Sequence, residues 1–197
     1  MPISGWTSEN NELSAWFAVY TRHQHEKAVA QFLAHKDVEV FLPIYNSTRR
    51  WKDRVKQISL PLFPNYVFVF APMESRATIL TTPGIYDFVR QGGQPAPIPG
   101  EEISAIRSVV EKGMSVEPHP FLKSGDWVRL KSGPLEGMEG ILVRKKNFCR
   151  LVISVALLER SVAVEADAAD VERVMKKRLG VQSIPSAPTV PFGYSWS

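Results

Sequence analysis

Only one cysteine, Cys149, occurs among the 197 residues. A single thiol excludes an intramolecular disulfide and a zinc site built from several cysteines; in a strand-like stretch it reads as a small core residue. Long apolar runs are missing as well. The longest, Tyr66-Val67-Phe68-Val69-Phe70-Ala71, falls far short of the roughly 20 residues that cross a bilayer as a helix. Residues 1–11 carry no basic start followed by an apolar stretch, so the expectation is a cytoplasmic protein with no signal peptide and no membrane partner. Histidine is scarce. His23 and His25 stand two apart and would not face one another on a helix, so no metal pair is expected from them. No Ser/His/Asp or paired-carboxylate spacing stands out. The glycine-rich residues 133–140 lack the Gly-Lys-Ser/Thr ending of a phosphate loop and no helix follows them. Neither enzyme chemistry nor a cofactor nor a metal is expected.

What is present is an ordinary globular balance, with 44% hydrophobic and 22% charged residues, enough apolar side chains for one or two real cores. The net charge of +4 suits contact with nucleic acid. Three breaks divide the chain. Residues 1–13 are polar and aperiodic; residues 114–122, with two prolines and no period, read as an interdomain linker; residues 180–197 read as a flexible tail that carries Phe192, Tyr194 and Trp196. Two domains are expected, at 14–113 and 123–179.

In the first, residues 16–20 are apolar on both faces, as in a central strand covered on each side. A helix over 24–36 follows, with Val29, Phe32, Leu33 and Lys36 on one stripe and Lys36 snorkelling at its edge. Residues 38–45 read as a strand interrupted by Pro43, as at a sheet edge or a strand end, and 58–63 and 66–70 as further strands extending the same sheet. A short helix over 73–80, a turn at Thr82-Pro83-Gly84, a strand over 85–90 and a helix over 101–112 with Ile103, Ile106 and Val110 inward complete an α/β (α+β) sheet domain with packed helices. The second domain is all strand, with four short β-branched segments at 126–131, 140–144, 151–155 and 161–165. Closure into a small barrel is the economical way to remove their edges, and Val152, Ile153, Val155, Val162 and Val164 hold them to strand rather than helix.

Two patterns point to binding. Tyr66, Phe68 and Phe70 alternate with Val67 and Val69. The aromatics either pack under the domain's own helices or form an exposed patch that takes up another protein's helices. Arg49-Arg50-Trp51-Lys52-Asp53-Arg54-Val55-Lys56 holds five cations, one acid and one tryptophan. It reads either as a solvated hairpin tip or as a contact with nucleic-acid backbone in which Trp51 stacks or anchors the loop. Such contacts position a protein without reading sequence.

Six segments occur in one order over residues 15–175: Trp16 to Tyr20 with His25-Glu26-Lys27; Phe41-Leu42-Pro43; Leu62-Phe63-Pro64-Asn65-Tyr66-Val67-Phe68-Val69; Thr82-Pro83-Gly84-Ile85; Phe88-Val89; and Gly133-Pro134-Leu135-Glu136-Gly137-Met138-Glu139-Gly140. Together they resemble the NusG family, with its N-terminal domain followed by a KOW domain of SH3-like barrel fold. The resemblance implies a non-enzymatic transcription factor. It places Tyr66 and Phe68, with Phe63 and Pro64 leading into them, in a pocket for the β′ clamp helices of RNA polymerase, with the β subunit as a further contact. It turns the basic hairpin (Arg49, Arg50, Trp51, Lys52, Arg54) toward upstream DNA, and brings Arg22 near the non-template strand.

The sequence also departs from the housekeeping pattern. Asn65 stands where glycine is usual. Leu158-Glu159-Arg160 stands where a Phe-Gly-Arg sequence used in binding Rho and the ribosomal protein NusE is usual, and Leu135 replaces an aromatic. With Leu135, Leu158 and Arg160 as its partner surface, the KOW domain loses aromatic contact area and gains a charge to desolvate. That weighs against Rho and leaves NusE a weaker apolar contact. The resemblance is nearest to specialised RfaH-like and UpxY-like antiterminators, which suppress pausing or termination. The alternatives are a housekeeping NusG acting with Rho in termination and, in another class, a KOW-containing ribosomal or RNA-binding protein.

Overall fold

A computed structural model describes residues 14–51, 54–122, 125–145 and 148–174. The expected loose start and the tail bearing Phe192, Tyr194 and Trp196 lie outside the described residues. The chain runs β1 (Ser14–Thr21), α1 (Glu26–Ala34), β2 (Glu39–Phe41), β3 (Ile44–Trp51), β4 (Arg54–Pro61), β5 (Tyr66–Pro72), α2 (Arg76–Leu80), β6 (Ile85–Phe88), the short pair β7 (Arg90–Gln91) and β8 (Gln94–Pro95), and α3 (Gly100–Glu111). Five further strands follow: β9 (Val116–Pro120), β10 (Asp126–Leu130), β11 (Glu139–Lys145), β12 (Phe148–Val155) and β13 (Arg160–Ala166), before the closing β14 (Val171–Arg173).

The first sheet has the order β2-β5-β1-β6, and β1 is antiparallel to both of its neighbours. The two apolar faces of β1 and β5 are both covered. On one side Val19, Val67 and Val69 pack with Val29 and Leu33 of α1 and Ile79 of α2. On the other, Ala18 and Phe68 share a core with Ile103, Ile106 and Val109 of α3. Burying each large apolar side chain stabilises the fold by about 1.5–3 kcal/mol, so such a strand is stable only between two layers.

Several local expectations shift. Helix α1 starts at Glu26 because Gln24 has a φ of 61°, outside the helical region, and ends before Asp37, also left-handed at 57°. Phe32 is exposed rather than part of the buried stripe; it lies about 100° before Leu33 around the helix, beyond the covered face. Lys36 does more than snorkel. Its ammonium donates to the carbonyl of Thr78 and the hydroxyl of Thr82, 2.9 and 2.8 Å away, and so caps the C-terminal end of α2. In α3 the third buried position is Val109, with Val110 half-buried.

Residues 58–63 do not extend the sheet. β3 and β4 form a separate two-stranded hairpin, from Ile44 opposite Pro61 to Trp51 opposite Arg54. Its alternation satisfies its own ladder, which reaches Pro61 opposite Ile44, and neither Pro43 nor Pro61 has an N–H to offer a further strand. The stretch expected to be linker also differs: Val116–Pro120 is a strand paired with β13, with Val116 opposite Val164. Its prolines are tolerated because β9 is an edge strand. The second sheet is antiparallel, ordered β14-β10-β11-β12-β13-β9. Gly140 on β11 is required by space, since a Cβ there would lie 2.6 Å from the Val152 carbonyl oxygen.

Candidate functional site

Register builds one aromatic face on the first sheet. Trp16 lies opposite Phe70, Ala18 opposite Phe68 and Tyr20 opposite Tyr66, while Phe41 on β2 lies opposite Phe68. Cross-strand partners share a face, so period-two alternation on three strands places these rings together. Phe68 packs against Phe63 at 5.4 Å and Phe41 at 6.1 Å, and Tyr20 against Tyr66 at 5.6 Å. A β-bulge between Tyr20 and Thr21 re-aims β6, and Tyr86 then sits 5.7 Å from Tyr20. At the opposite end Arg107 of α3 rests over Trp16 and Phe41, 5.2 and 5.1 Å from their centroids, and pairs with Glu39 at 3.1 Å.

This face is not open in the conformation described. Phe63 and Phe68 are fully buried, Tyr66 is half-buried, and Pro64 is exposed. The core that holds Phe63 and Phe68 continues into the second sheet through Val128, Leu130, Leu151 and Val162, and it includes Leu135 and Leu158. Polar ties run alongside. The Ala156 amide donates to Glu102 Oε2 at 3.2 Å, and the Lys112 ammonium donates to the Pro134 carbonyl. Burial pushes the Tyr66 phenol above its ordinary pKa; the Arg160 guanidinium opposes that shift and Tyr20 adds to it. Residues expected from sequence to serve two different partner surfaces therefore meet in one core. Of the two readings left open for the aromatic stripe, the packed one describes this conformation.

The remaining residues stand as follows. Arg22 is exposed at the end of β1, its amide held by the Gly84 carbonyl at 2.8 Å. Arg49, Arg50, Trp51 and Arg54 lie at the end of the β3–β4 hairpin, their side chains outside the described residues, as is Lys52 altogether. Arg160 is exposed. The two departures from family glycines both occupy left-handed backbone, Asn65 with φ 70° and Glu159 with φ 47°. Asparagine visits that region readily and glutamate does not. Asn65 adds a contact that glycine could not make, its Oδ1 standing 3.1 Å from His23 Nδ1. Among the described residues no group of three or more His, Cys, Asp or Glu could hold a metal ion, and no helix is long and apolar enough to cross a membrane.

Trp16, Tyr20, Phe41 and Arg107 belong to this face although the aromatic run on β5 alone did not name them. For the first three the signal was alternation on neighbouring strands. Tyr86 had no such signal, because a bulge breaks the period that would have placed it.

The described fold is an α+β sheet with an aromatic face, a separate two-stranded hairpin of basic sequence, and a second all-β sheet that shares the core of the first. The family model for "Transcription termination factor nusG" matches residues 14–107. The transcription termination/antitermination protein NusG of Staphylococcus aureus strain Mu50 is 29% identical over 187 residues, covering 85% of this chain and all of that one. Its counterpart in Borreliella burgdorferi is 26% identical, covering 81% of this chain and 98% of that one. A solved structure titled for domain interaction in Thermotoga maritima NusG aligns with a TM-score of 0.51 at 24% identity, over 82% of this chain and 98% of that one, and supports the fold. The first part of the chain therefore matches the NusG family model, and most of the chain is similar to proteins named for transcription termination/antitermination.

Proposed function

We propose that this protein is a specialised antitermination factor that grips the β′ clamp helices of RNA polymerase through Tyr66, Phe68 and the rings around them, and so suppresses pausing or termination. NusG family proteins work with RNA polymerase in transcription. The observation that carries the reading is the aromatic row across β1, β2 and β5, rich in the residue types that dominate interface energetics. Because Phe63 and Phe68 are buried in a core shared with the second sheet, polymerase engagement requires that sheet to move off, and the factor binds only from the opened fraction of its population. The basic hairpin then meets upstream DNA, and Arg22 the non-template strand, as electrostatic backbone contacts.

The specialised reading, nearest to RfaH-like and UpxY-like factors, is supported by Asn65 and by Leu158-Glu159-Arg160. Glutamate at the left-handed position 159 puts a Cβ and a charge where glycine would let a partner approach. The housekeeping alternative makes the opposite demand, namely docking of Rho on the same strand ends. Purified full-length protein should bind core polymerase, lose that binding on Tyr66→Ala without loss of fold, and show no binding to the host Rho by anisotropy. Wild-type polymerase affinity in Tyr66→Ala refutes the clamp-helix contact; micromolar Rho binding returns the protein to the housekeeping class.

A further inference from the structure

His25-Glu26-Lys27 marks the family resemblance, yet none of the binding surfaces uses it. Its two charged residues reach two ends of one short chain segment. Glu26 opens α1 and is 4% exposed; its Oε1 accepts from the Asn65 amide at 2.8 Å. The next residue, Lys27, donates its ammonium to the Ser59 carbonyl at 2.9 Å. Ser59 lies on β4, and Asn65 closes the turn that begins β5 with Tyr66. Consecutive helical residues point about 100° apart, which lets one turn of α1 hold both places at once.

The hairpin needs such a hold. β3 and β4 pair with each other and with no strand of the first sheet, and the Leu62 amide bonded to the Pro43 carbonyl at 2.9 Å closes its base. Beyond that base Tyr45 packs against the core on β3, and Lys27 holds β4. On the other side of buried Leu62 and Phe63, Asn65 is held in left-handed backbone. There the Glu26 carboxylate satisfies its amide, a buried acceptor whose loss would leave a donor unpaired.

We infer that Glu26 and Lys27 are positioning residues that fix the direction of the basic hairpin relative to the aromatic strand, so that one molecule can meet polymerase and nucleic acid together. The functional half of this inference rests on the reading given under Proposed function, whereas its geometric half does not. The test uses the full-length chain, comparing Lys27→Met with Lys27→Arg, which keeps the charge and a donor. Residual dipolar couplings of backbone amides in β3–β4 and in β1–β5 report whether the two parts tumble as one. Wild type and Lys27→Arg should fit one alignment tensor. In Lys27→Met the hairpin should need a separate, weaker one, while the sheet couplings and the melting temperature stay put. On an elongation complex, Lys27→Met should then lower the slope of log affinity against log salt by about one to two, with Lys27→Arg near wild type.

One common tensor in Lys27→Met overturns the inference. So does a reduced slope with an unchanged hairpin, which would make Lys27 a direct phosphate contact. A loosened hairpin with an unchanged slope upholds the staple and instead refutes the nucleic-acid role of the hairpin. For Glu26, amide exchange at Asn65 should accelerate at least tenfold in Glu26→Ala and little in Glu26→Gln; equal rates in both variants overturn its part. Should Glu26→Ala fail to fold, unaltered polymerase affinity and exchange in Glu26→Gln against weakened affinity and accelerated Asn65 exchange in Glu26→Leu upholds it, and parity of those two variants overturns it.

Discussion

Truncating Phe68 to alanine tests whether the aromatic face is a core or an open surface. The ring has no exposure and lies against Phe63 and Phe41 in a cluster that runs into the second sheet. Removing a buried phenylalanine side chain costs about 3–5 kcal/mol, and the lost aromatic pairs, each worth roughly 0.5–1.5 kcal/mol beyond area, favour the upper part of that range. A loss of about 4 kcal/mol consumes a large part of the 5–15 kcal/mol typical of a domain. At about 2–4 °C per kcal/mol for a chain of this size, the melting temperature should fall by roughly 8–16 °C. Urea denaturation followed by tryptophan fluorescence, with calorimetry alongside, gives both numbers. Phe68→Leu, which keeps most of the buried volume, should lose much less. A loss below about 1 kcal/mol in Phe68→Ala would refute the reasoning, because it would mean that the ring faces solvent and that the second sheet does not share its core.

Three further outcomes follow from the same geometry. Burial raises the Tyr66 pKa in the folded state, so the folded chain binds that proton more tightly than the unfolded chain. The associated stability is fully present below the ordinary tyrosine pKa near 10 and is lost as pH rises through it toward the folded value. Tyr66→Phe should flatten that alkaline loss in urea titrations between about pH 8 and 11, and an unchanged pH profile would remove Tyr66 from the buried contact. Gly140→Ala should destabilise the protein by about 1–3 kcal/mol, since its Cβ would meet the Val152 carbonyl oxygen on the neighbouring strand; wild-type stability would show that the strands can separate there at no cost. Neutralising Arg49, Arg50 and Lys52 together should reduce the salt slope for elongation-complex binding by up to about three while leaving affinity for polymerase without nucleic acid nearly unchanged, and an unaltered slope would demote the hairpin to a solvated tip.

Much of the fold was legible because its elements carry their own period. The double-sided apolar pattern of β1 and β5 announced a sheet covered on both faces, and layers on both faces are what cover it. The strands at 126–130, 139–145, 148–155 and 160–166 followed from β-branched runs between turn residues. Failures occurred where pairing rather than propensity decides. Residues 116–120 look like linker because two prolines break any pattern, yet as an edge strand they need bond only on the side of β13. Residues 58–63 look like a member of the first sheet, and nothing local reveals that the strand they belong to pairs only with β3.

Candidate residues show the same division. Alternation alone put Tyr66 and Phe68 on one side of a strand, and charge density alone singled out the basic run, because both are properties of adjacent residues. The strand period cannot say what lies on top of a face. Whether Phe68 meets solvent or the second sheet depends on contacts between residues far apart in the chain, among them Glu102 with Ala156 and Lys112 with Pro134. The sequence by itself determined most element types, the succession of a mixed α+β part and an all-strand part, and the aromatic and basic runs, since local sterics and periodicity govern those. Only the tertiary structure decided that the aromatic face is shared with the second sheet, that a bulge brings Tyr86 beside Tyr20, and that Glu26 and Lys27 hold the hairpin and the Asn65 turn. Each of these is a long-range contact, fixed by how the elements pack and not by what any one segment prefers.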